Sequence, residues 1–384
     1  MASFDLSTIA RKNILELTPY RCARDDYSDG ILLDANENSI GPAVSSHSHL
    51  ELNRYPDPLH LGVKQKFAAL KGHGVRKEQV RLSSLRQLAP HSLFISHLFI
   101  QVFFGVGSDE AIDILFRIFC NPRVDNVVIT PPTYGMYKVC AKVNDVQVKI
   151  ANLTPSFDVD VDLVLSTIDE KTKLVFLCSP GNPTAKTIPN DVVEQIVSRF
   201  SHGIVVVDEA YIDFSQSVSA CALVSKCPNV IVLQTLSKAF GLAGIRLGAA
   251  IGNADIIQLM NNIKAPYNIN KLTIEVADEA LSNLTLYKEN VQKILFEREY
   301  LLSELRKLKF VLKIHATDAN FILFEVSSQS QLIYKTMADR GIVCRYRGME
   351  MHCNECLRVT VGTHDENVKF ISMIQKVADE LAVV

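Results

Sequence analysis

Neither sign of charge predominates in this chain of 384 residues, whose 40 basic and 42 acidic side chains leave a formal net charge of -2. Nucleic acid would require a basic face, so no such partner is expected. There is also no run of about 20 mostly apolar residues of the kind that spans a bilayer. The nearest approach, residues 81–101, is apolar only over its second half, which opens at Pro90 and carries His91 and His97, so no membrane association is expected. A secretory start is missing, because Met1–Leu6 has neither a basic beginning nor an apolar core. The nine cysteines are odd in number and scattered, which points to a reducing, cytoplasmic compartment. A second Cys-x-x-Cys is lacking too. Cys353-Asn354-Glu355-Cys356 stands alone with His352 beside it, short of the four ligands a structural zinc needs, so the motif reads as a loop with two thiols and no metal is expected. Neither an internal repeat nor a low-complexity tract occurs.

What is present is a 48% hydrophobic composition, enough for a large core, at a length that fits two domains better than one. Between Ala111 and Ile251, short β-branched runs alternate with segments that mostly have helical spacing. The runs are 126–130, 146–150, 174–178, 204–208, 230–234 and 247–251, apolar on both faces. They predict an α/β architecture, a largely parallel sheet covered by helices on both sides, with ligands at the carboxyl ends of the strands. After Tyr267-Asn268-Ile269-Asn270 the pattern changes to a helical stretch over about 271–308, then the strands and helices of a compact α+β unit.

Chemistry gathers at the predicted strand ends. Lys238 lies in Thr235-Leu236-Ser237-Lys238-Ala239-Phe240-Gly241, where small neighbours leave clearance for an amine to meet a bound aldehyde, and Arg246 follows eight positions on. A solvated surface lysine would read the same way in isolation; its company decides. Asp208 ends an apolar run, with Tyr211 three positions later, and Asn182 follows another run in Ser179-Pro180-Gly181-Asn182-Pro183. Gly107-Ser108-Asp109-Glu110 opens a helix of apolar period through Ala111, Ile112, Leu115 and Ile118.

With Asn182, Asp208, Tyr211, Lys238, Arg246 and Arg358 in this order, the chain resembles the fold-type I, class II aminotransferases that use pyridoxal 5'-phosphate. Within them it is similar to the histidinol-phosphate aminotransferase family. The narrowing motifs are Asp34-Ala35-Asn36-Glu37-Asn38, Arg54-Tyr55-Pro56-Asp57-Pro58, Val106-Gly107-Ser108-Asp109-Glu110, Val207-Asp208-Glu209-Ala210-Tyr211-Ile212-Asp213-Phe214 and Cys356-Leu357-Arg358-Val359-Thr360-Val361-Gly362-Thr363. The resemblance covers nearly the whole chain apart from the stretch near 81–101. It implies a large domain with a mostly parallel seven-stranded sheet between helices and a smaller α+β domain. The implied division is an N-terminal arm over 1–50 that contributes to the small domain and a dimer contact, a large cofactor-binding domain over 51–275, and the small domain over 276–384.

The same resemblance implies the site. Lys238 is the imine-forming lysine, displaced by the incoming amine and then the base that moves a proton. Asp208 faces the cofactor's ring nitrogen and favours its charged form. Tyr211 and Asn182 donate to the phenolate oxygen, and Tyr134 stacks on the ring. Backbone amides of Ser108, Asp109 and Glu110, with Ser237 and Arg246, cup the phosphate dianion at a helix N-terminus. Tyr55 reaches the phosphate of a neighbouring subunit, making the enzyme a homodimer. Arg358 forks onto the phosphate of histidinol phosphate or a carboxylate of 2-oxoglutarate, helped by Arg345, Tyr20 and Asn36. The implied activity is transamination of histidinol phosphate with 2-oxoglutarate in histidine biosynthesis. Aromatic or aspartate-type aminotransferases and a phosphothreonine decarboxylase share the lysine and the aspartate and stay open as alternatives. The departure is the insertion over 81–101, rich in Leu, Ser, Phe and His, which reads as translated non-coding sequence or as a genuine lid segment. Lying just before Ser108, it also leaves open an inactive chain.

Overall fold

The computed structural model describes residues 4–19, 34–44, 47–71 and 101–383. Tyr20 and residues 81–100 of the expected insertion lie outside the described residues. Seven strands form the larger sheet: β1 (Val102–Val106), β2 (Asn126–Ile129), β3 (Gln147–Ile150), β4 (Thr172–Cys178), β5 (Ile204–Asp208), β6 (Val230–Thr235) and β7 (Leu247–Gly252), in the order β1-β7-β6-β5-β4-β2-β3. Only β7 runs against the others, pairing antiparallel with both β1 and β6. The α/β class and the mostly parallel seven-stranded sheet are therefore as expected. β1 is the strand that the pattern of six runs does not separate.

Strict alternation builds the two faces. Val127, Leu174, Phe176, Val206 and Ile231 pack with helices Gly107–Phe119, Met136–Val143 and Ala254–Ile263. Their neighbours Val128, Val175, Leu177, Val205 and Val232 pack on the opposite face with helices Leu61–Lys71, Asn190–Arg199 and Lys271–Ser282. All of these strand side chains are fully buried, each stabilising the fold by about 1.5–3 kcal/mol. Ile9 and Ala10 of the arm join the first face, and the Arg11 amide donates to the Ile118 carbonyl at 2.9 Å.

The helical stretch predicted over 271–308 is two helices, Lys271–Ser282 and Leu284–Leu305, broken at Asn283, whose backbone is non-helical (φ -115°, ψ 73°). Beyond it, β8 (Val311–Ile314), β9 (Phe321–Val326), β10 (Arg345–Tyr346) and β11 (Cys356–Thr360) form an antiparallel sheet in the order β10-β11-β9-β8. Helices Ser330–Asp339 and His364–Glu380 cover it around Phe324, Met337, Phe370 and Ile374, the last helix opening on a Thr363–Glu366 capping box.

Candidate active site

The carboxyl ends of the co-directional strands converge on one cavity of 370 Å³ lined by residues of both sheets. Asp208, the last residue of β5, is 3% exposed. Its carboxylate accepts from the Tyr137 hydroxyl at 2.7 Å and from the Ala210 amide at 3.2 Å. Tyr137 is fixed by stacking on Phe176, with ring centroids 4.7 Å apart. Burial pushes Asp208 up to about 6, against the lowering effect of those two donors. A desolvated carboxylate opening on a cavity favours a cation there.

Lys238 stands three residues beyond β6, in a loop closed by the Gly241 amide to the Lys238 carbonyl (3.0 Å) and by the Leu242 amide to the Leu236 carbonyl (3.1 Å). Gly241 takes a positive φ of 68°, which explains a glycine at that turn. Behind the loop Phe240 stacks on Tyr287 at 4.2 Å, and Tyr287 donates to Asp213, the partner of the buried Lys71. The half-buried Lys238 amine is held below its usual pKa by burial first, then by the positive charges of Arg358 and Arg246, which favours the neutral nucleophile.

No side chain caps the helix Gly107–Phe119, and with the Gly107 amide given to the Arg246 carbonyl, the amides of Ser108 and Asp109 that follow are left for an anion. The approach there is close: a Cβ on Gly248 would strike the Ser108 amide, and one on Gly107 (φ +71°) would lie 2.5 Å from Arg246 Nη2. Arg246, itself left-handed at φ 54°, accepts the Gly107 amide at 2.8 Å and directs Nη2 to Asp109 at 3.3 Å. Tyr134 donates to the other Asp109 oxygen at 3.0 Å. Ser237 adds a hydroxyl, tied to Thr235 at 2.9 Å.

The opposite wall comes from the smaller sheet. Arg345 and Arg358 are cross-strand neighbours on β10 and β11, and Arg347 follows Arg345. Arg358 donates to the Asn182 side-chain oxygen and lies 5.0 Å over the Phe321 ring, while its buried Nε has no partner. Burial, then Arg347, lowers it to about 10. Only Glu350, which accepts from Arg347 at 2.7 Å, offers this wall a carboxylate partner within ion-pair distance among the described residues. Tyr211 packs edge-on against Phe321 at 5.1 Å and is raised to about 12 by burial.

Of the residues expected from sequence, Ser108, Asp109, Tyr134, Asn182, Asp208, Tyr211, Ser237, Lys238, Arg246, Arg345 and Arg358 line this cavity. Glu110 does not: its carboxylate turns back to the Val106 amide (2.5 Å) and to Asn268 (3.0 Å). Asn36 and Tyr55 line a separate cavity, where Tyr55 stacks on Tyr267 at 4.5 Å. The two N-terminal motifs meet there, since Glu37 accepts from Arg54 at 2.9 Å and from the Tyr55 amide at 2.6 Å. Tyr137 and Arg347 were not singled out. Tyr137 reads as core in an amphipathic helix, whereas Arg347 has a usable signal, its two-residue spacing from Arg345 on an extended strand.

A profile of the aminotransferase class I and II family matches residues 37–374, and the chain belongs to that family. More narrowly, it is 43% identical to the histidinol-phosphate aminotransferase of Cytophaga hutchinsonii, over 97% of this chain and 99% of that one. It is 44% identical to that of Schizosaccharomyces pombe, over 98% of each chain. The crystal structure of histidinol-phosphate aminotransferase from Sinorhizobium meliloti in complex with pyridoxal-5'-phosphate shares the fold, with a TM-score of 0.74 over 90% of each chain at 21% identity.

Proposed function

We propose that this chain is a pyridoxal-phosphate-dependent transaminase that moves the amino group of L-histidinol phosphate to 2-oxoglutarate, giving imidazole acetol phosphate and L-glutamate in histidine biosynthesis. The observation that carries the reading is one cavity with an amine and a buried carboxylate at one end and three guanidinium groups at the other, in a chain of full-length likeness to enzymes of that name. The donors fit the cofactor: a carboxylate for a ring cation, hydroxyls and an amide side chain for a phenolate, and an uncapped helix end whose glycines admit a phosphate. When bound, pyridoxal phosphate supplies the sink for the electron pair left as the substrate Cα proton departs.

The chain's own residues do the rest. Asp208 keeps the ring nitrogen protonated, with Tyr137 holding its carboxylate. Tyr211 and Asn182 donate to the phenolate oxygen, and Tyr134 covers the ring. The Ser108 and Asp109 amides, the Ser237 hydroxyl and Arg246 would hold the phosphate. Lys238 would carry the proton on its Nζ between the substrate Cα and the cofactor carbon C4′, two bonds apart, a role suited to its lowered pKa. Arg358, with Arg345, forks onto the substrate phosphate in one half-reaction and an oxoacid carboxylate in the other.

The active unit is a homodimer in which Tyr55 reaches the partner's phosphate; its 48% exposure and its place outside its own cavity support this. Residues 51–275 form the large domain and 276–384 the small one, with the arm over 1–50. The work is cytoplasmic, in keeping with eight free thiols among the described residues. No described helix is long and apolar enough to cross a membrane. Purified protein incubated with histidinol phosphate and 2-oxoglutarate forms glutamate on this reading, and Lys238→Ala does not. Equal glutamate from both removes the reading, and aspartate or aromatic donors in the same assay separate the sister activities.

A further inference from the structure

Cys353 and Cys356 have no part in the proposed chemistry, yet Cys353 lies in the segment that joins β10 to β11 and Cys356 opens β11, the strands carrying Arg345 and Arg358. The Cys356 amide donates to the Cys353 carbonyl at 2.9 Å, closing a four-residue turn in which Glu355 is left-handed (φ 51°). That conformation is held from outside, because the Glu355 carboxylate accepts from the Ser330 amide at 2.7 Å and its carbonyl from the Val326 amide at 3.1 Å. A turn of this kind brings its end Cα atoms within about 7 Å, close to the span that a disulfide bridges.

Both thiols are fully buried against Leu153, Phe157 and Leu323, directly beneath the exposed residues Met351, His352 and Asn354. Local opening of that surface turn is all that a small reagent needs. His315, tilted against Phe157 with centroids 4.9 Å apart, places Nε2 3.7 Å from Cys356 Sγ. The hydrogen bond from Cys353, then His315, favours the Cys356 thiolate over the opposing effect of burial. Cys120, Cys140, Cys178, Cys221, Cys227 and Cys344 are instead pushed up, each by burial first.

The pair is one step from the cavity. The Arg347 amide donates to the Cys356 carbonyl at 2.9 Å, the Cys353 amide to the Glu350 carbonyl at 3.1 Å, and the Glu350 carboxylate holds the Arg347 guanidinium at 2.7 Å. A covalent change at the thiols therefore pulls on both ends of the Arg347–Glu350 pair.

We propose that Cys353 and Cys356 form a dithiol site that hydrogen peroxide closes to a disulfide, shifting Arg347 and weakening the oxyanion-binding wall. The Cys356 thiolate attacks one peroxide oxygen, the O–O bond breaks, and the departing hydroxide takes the former thiol proton from His315. The resulting S–OH is attacked by Cys353 sulfur; the S–S bond forms, the S–O bond breaks, and hydroxide leaves with the Cys353 proton. Two thiols and one peroxide give one disulfide and two waters.

The coupling to substrate rests on the proposed function, and transaminase activity of the untreated enzyme checks that function separately. Holoenzyme is treated with hydrogen peroxide, then mapped by mass without reduction and assayed. The expected peptide spanning 353–356 is lighter by two hydrogens, and KM for histidinol phosphate rises roughly three- to tenfold, the worth of one weakened charge-assisted hydrogen bond. A dithiol reductant reverses both changes; Cys353→Ser and Cys353→Ala, the latter without a buried hydroxyl, show neither; and His315→Gln slows the closure. The proposal is overturned by an unchanged peptide, by sulfinic acid in place of the disulfide, by a disulfide with unaltered KM, or by equal inhibition of the Cys353 variants.

Discussion

At the end of the cavity formed by the larger sheet, Asp208 closes a central strand, 3% exposed and held by two donors, whereas at the other end Arg345 is exposed and Arg358 half-buried on a four-stranded sheet. The first end has to keep one charge state at one place, and a desolvated carboxylate locked by a stacked tyrosine does that. On the proposed function the second takes two different oxyanions in turn, a task that open guanidinium groups with few carboxylate partners suit. On that reading burial marks the end that would hold the cofactor, and open positive charge the end that would meet substrate.

Substitutions at the two ends break this contrast in different ways. Lys238→Ala has the largest expected effect, a fall in glutamate formation of roughly 10²–10⁴-fold from the loss of the proton-transferring amine alone, read in steady-state assays with both substrates. Asp208→Asn keeps the shape and removes the charge, so kcat drops by about 10²-fold while KM changes little; a pure KM effect would show that Asp208 belongs to the substrate end. Arg358→Ala should do the reverse, raising KM for both histidinol phosphate and 2-oxoglutarate by about 10- to 100-fold, with Arg358→Lys recovering only part because a point charge lacks the fork. A KM effect on one substrate alone would split the shared oxyanion site.

Smaller effects sharpen the cofactor end. Asp208, raised to about 6 by burial, is drawn down when a ring cation binds, so cofactor affinity is full above pH 6 and is lost as pH falls through that value. Tyr137→Phe removes a donor that lowers Asp208, so the same loss begins at higher pH, with a few-fold weaker binding at neutrality. Titration of cofactor absorbance across pH 5–8 measures both; an unmoved midpoint in the variant would detach Tyr137 from the site.

Much of the large sheet was legible because its strands are buried on both faces and read as unbroken β-branched runs. β1 was not separable, since Val102–Val106 follows directly on an equally apolar stretch. The break at Asn283 hid within continuous helical spacing, as a single non-helical residue leaves no gap in periodicity. Lys238, Asp208 and Asn182 were visible as polar residues closing or just following apolar strands. Tyr137 was invisible because its hydroxyl meets Asp208 from another element, a juxtaposition that only folding creates. Glu110 was visible through its backbone amide, with its carboxylate expected away from a phosphate, but sequence could not say that the carboxylate accepts from the Val106 amide.

Reduction with borohydride in the presence of pyridoxal phosphate, followed by peptide mapping, tests the central claim most directly. The pyridoxyl mass is expected on Lys238 and is expected to vanish in Lys238→Ala. A tag on another lysine, or none on the active enzyme, would contradict the whole assignment of the cavity.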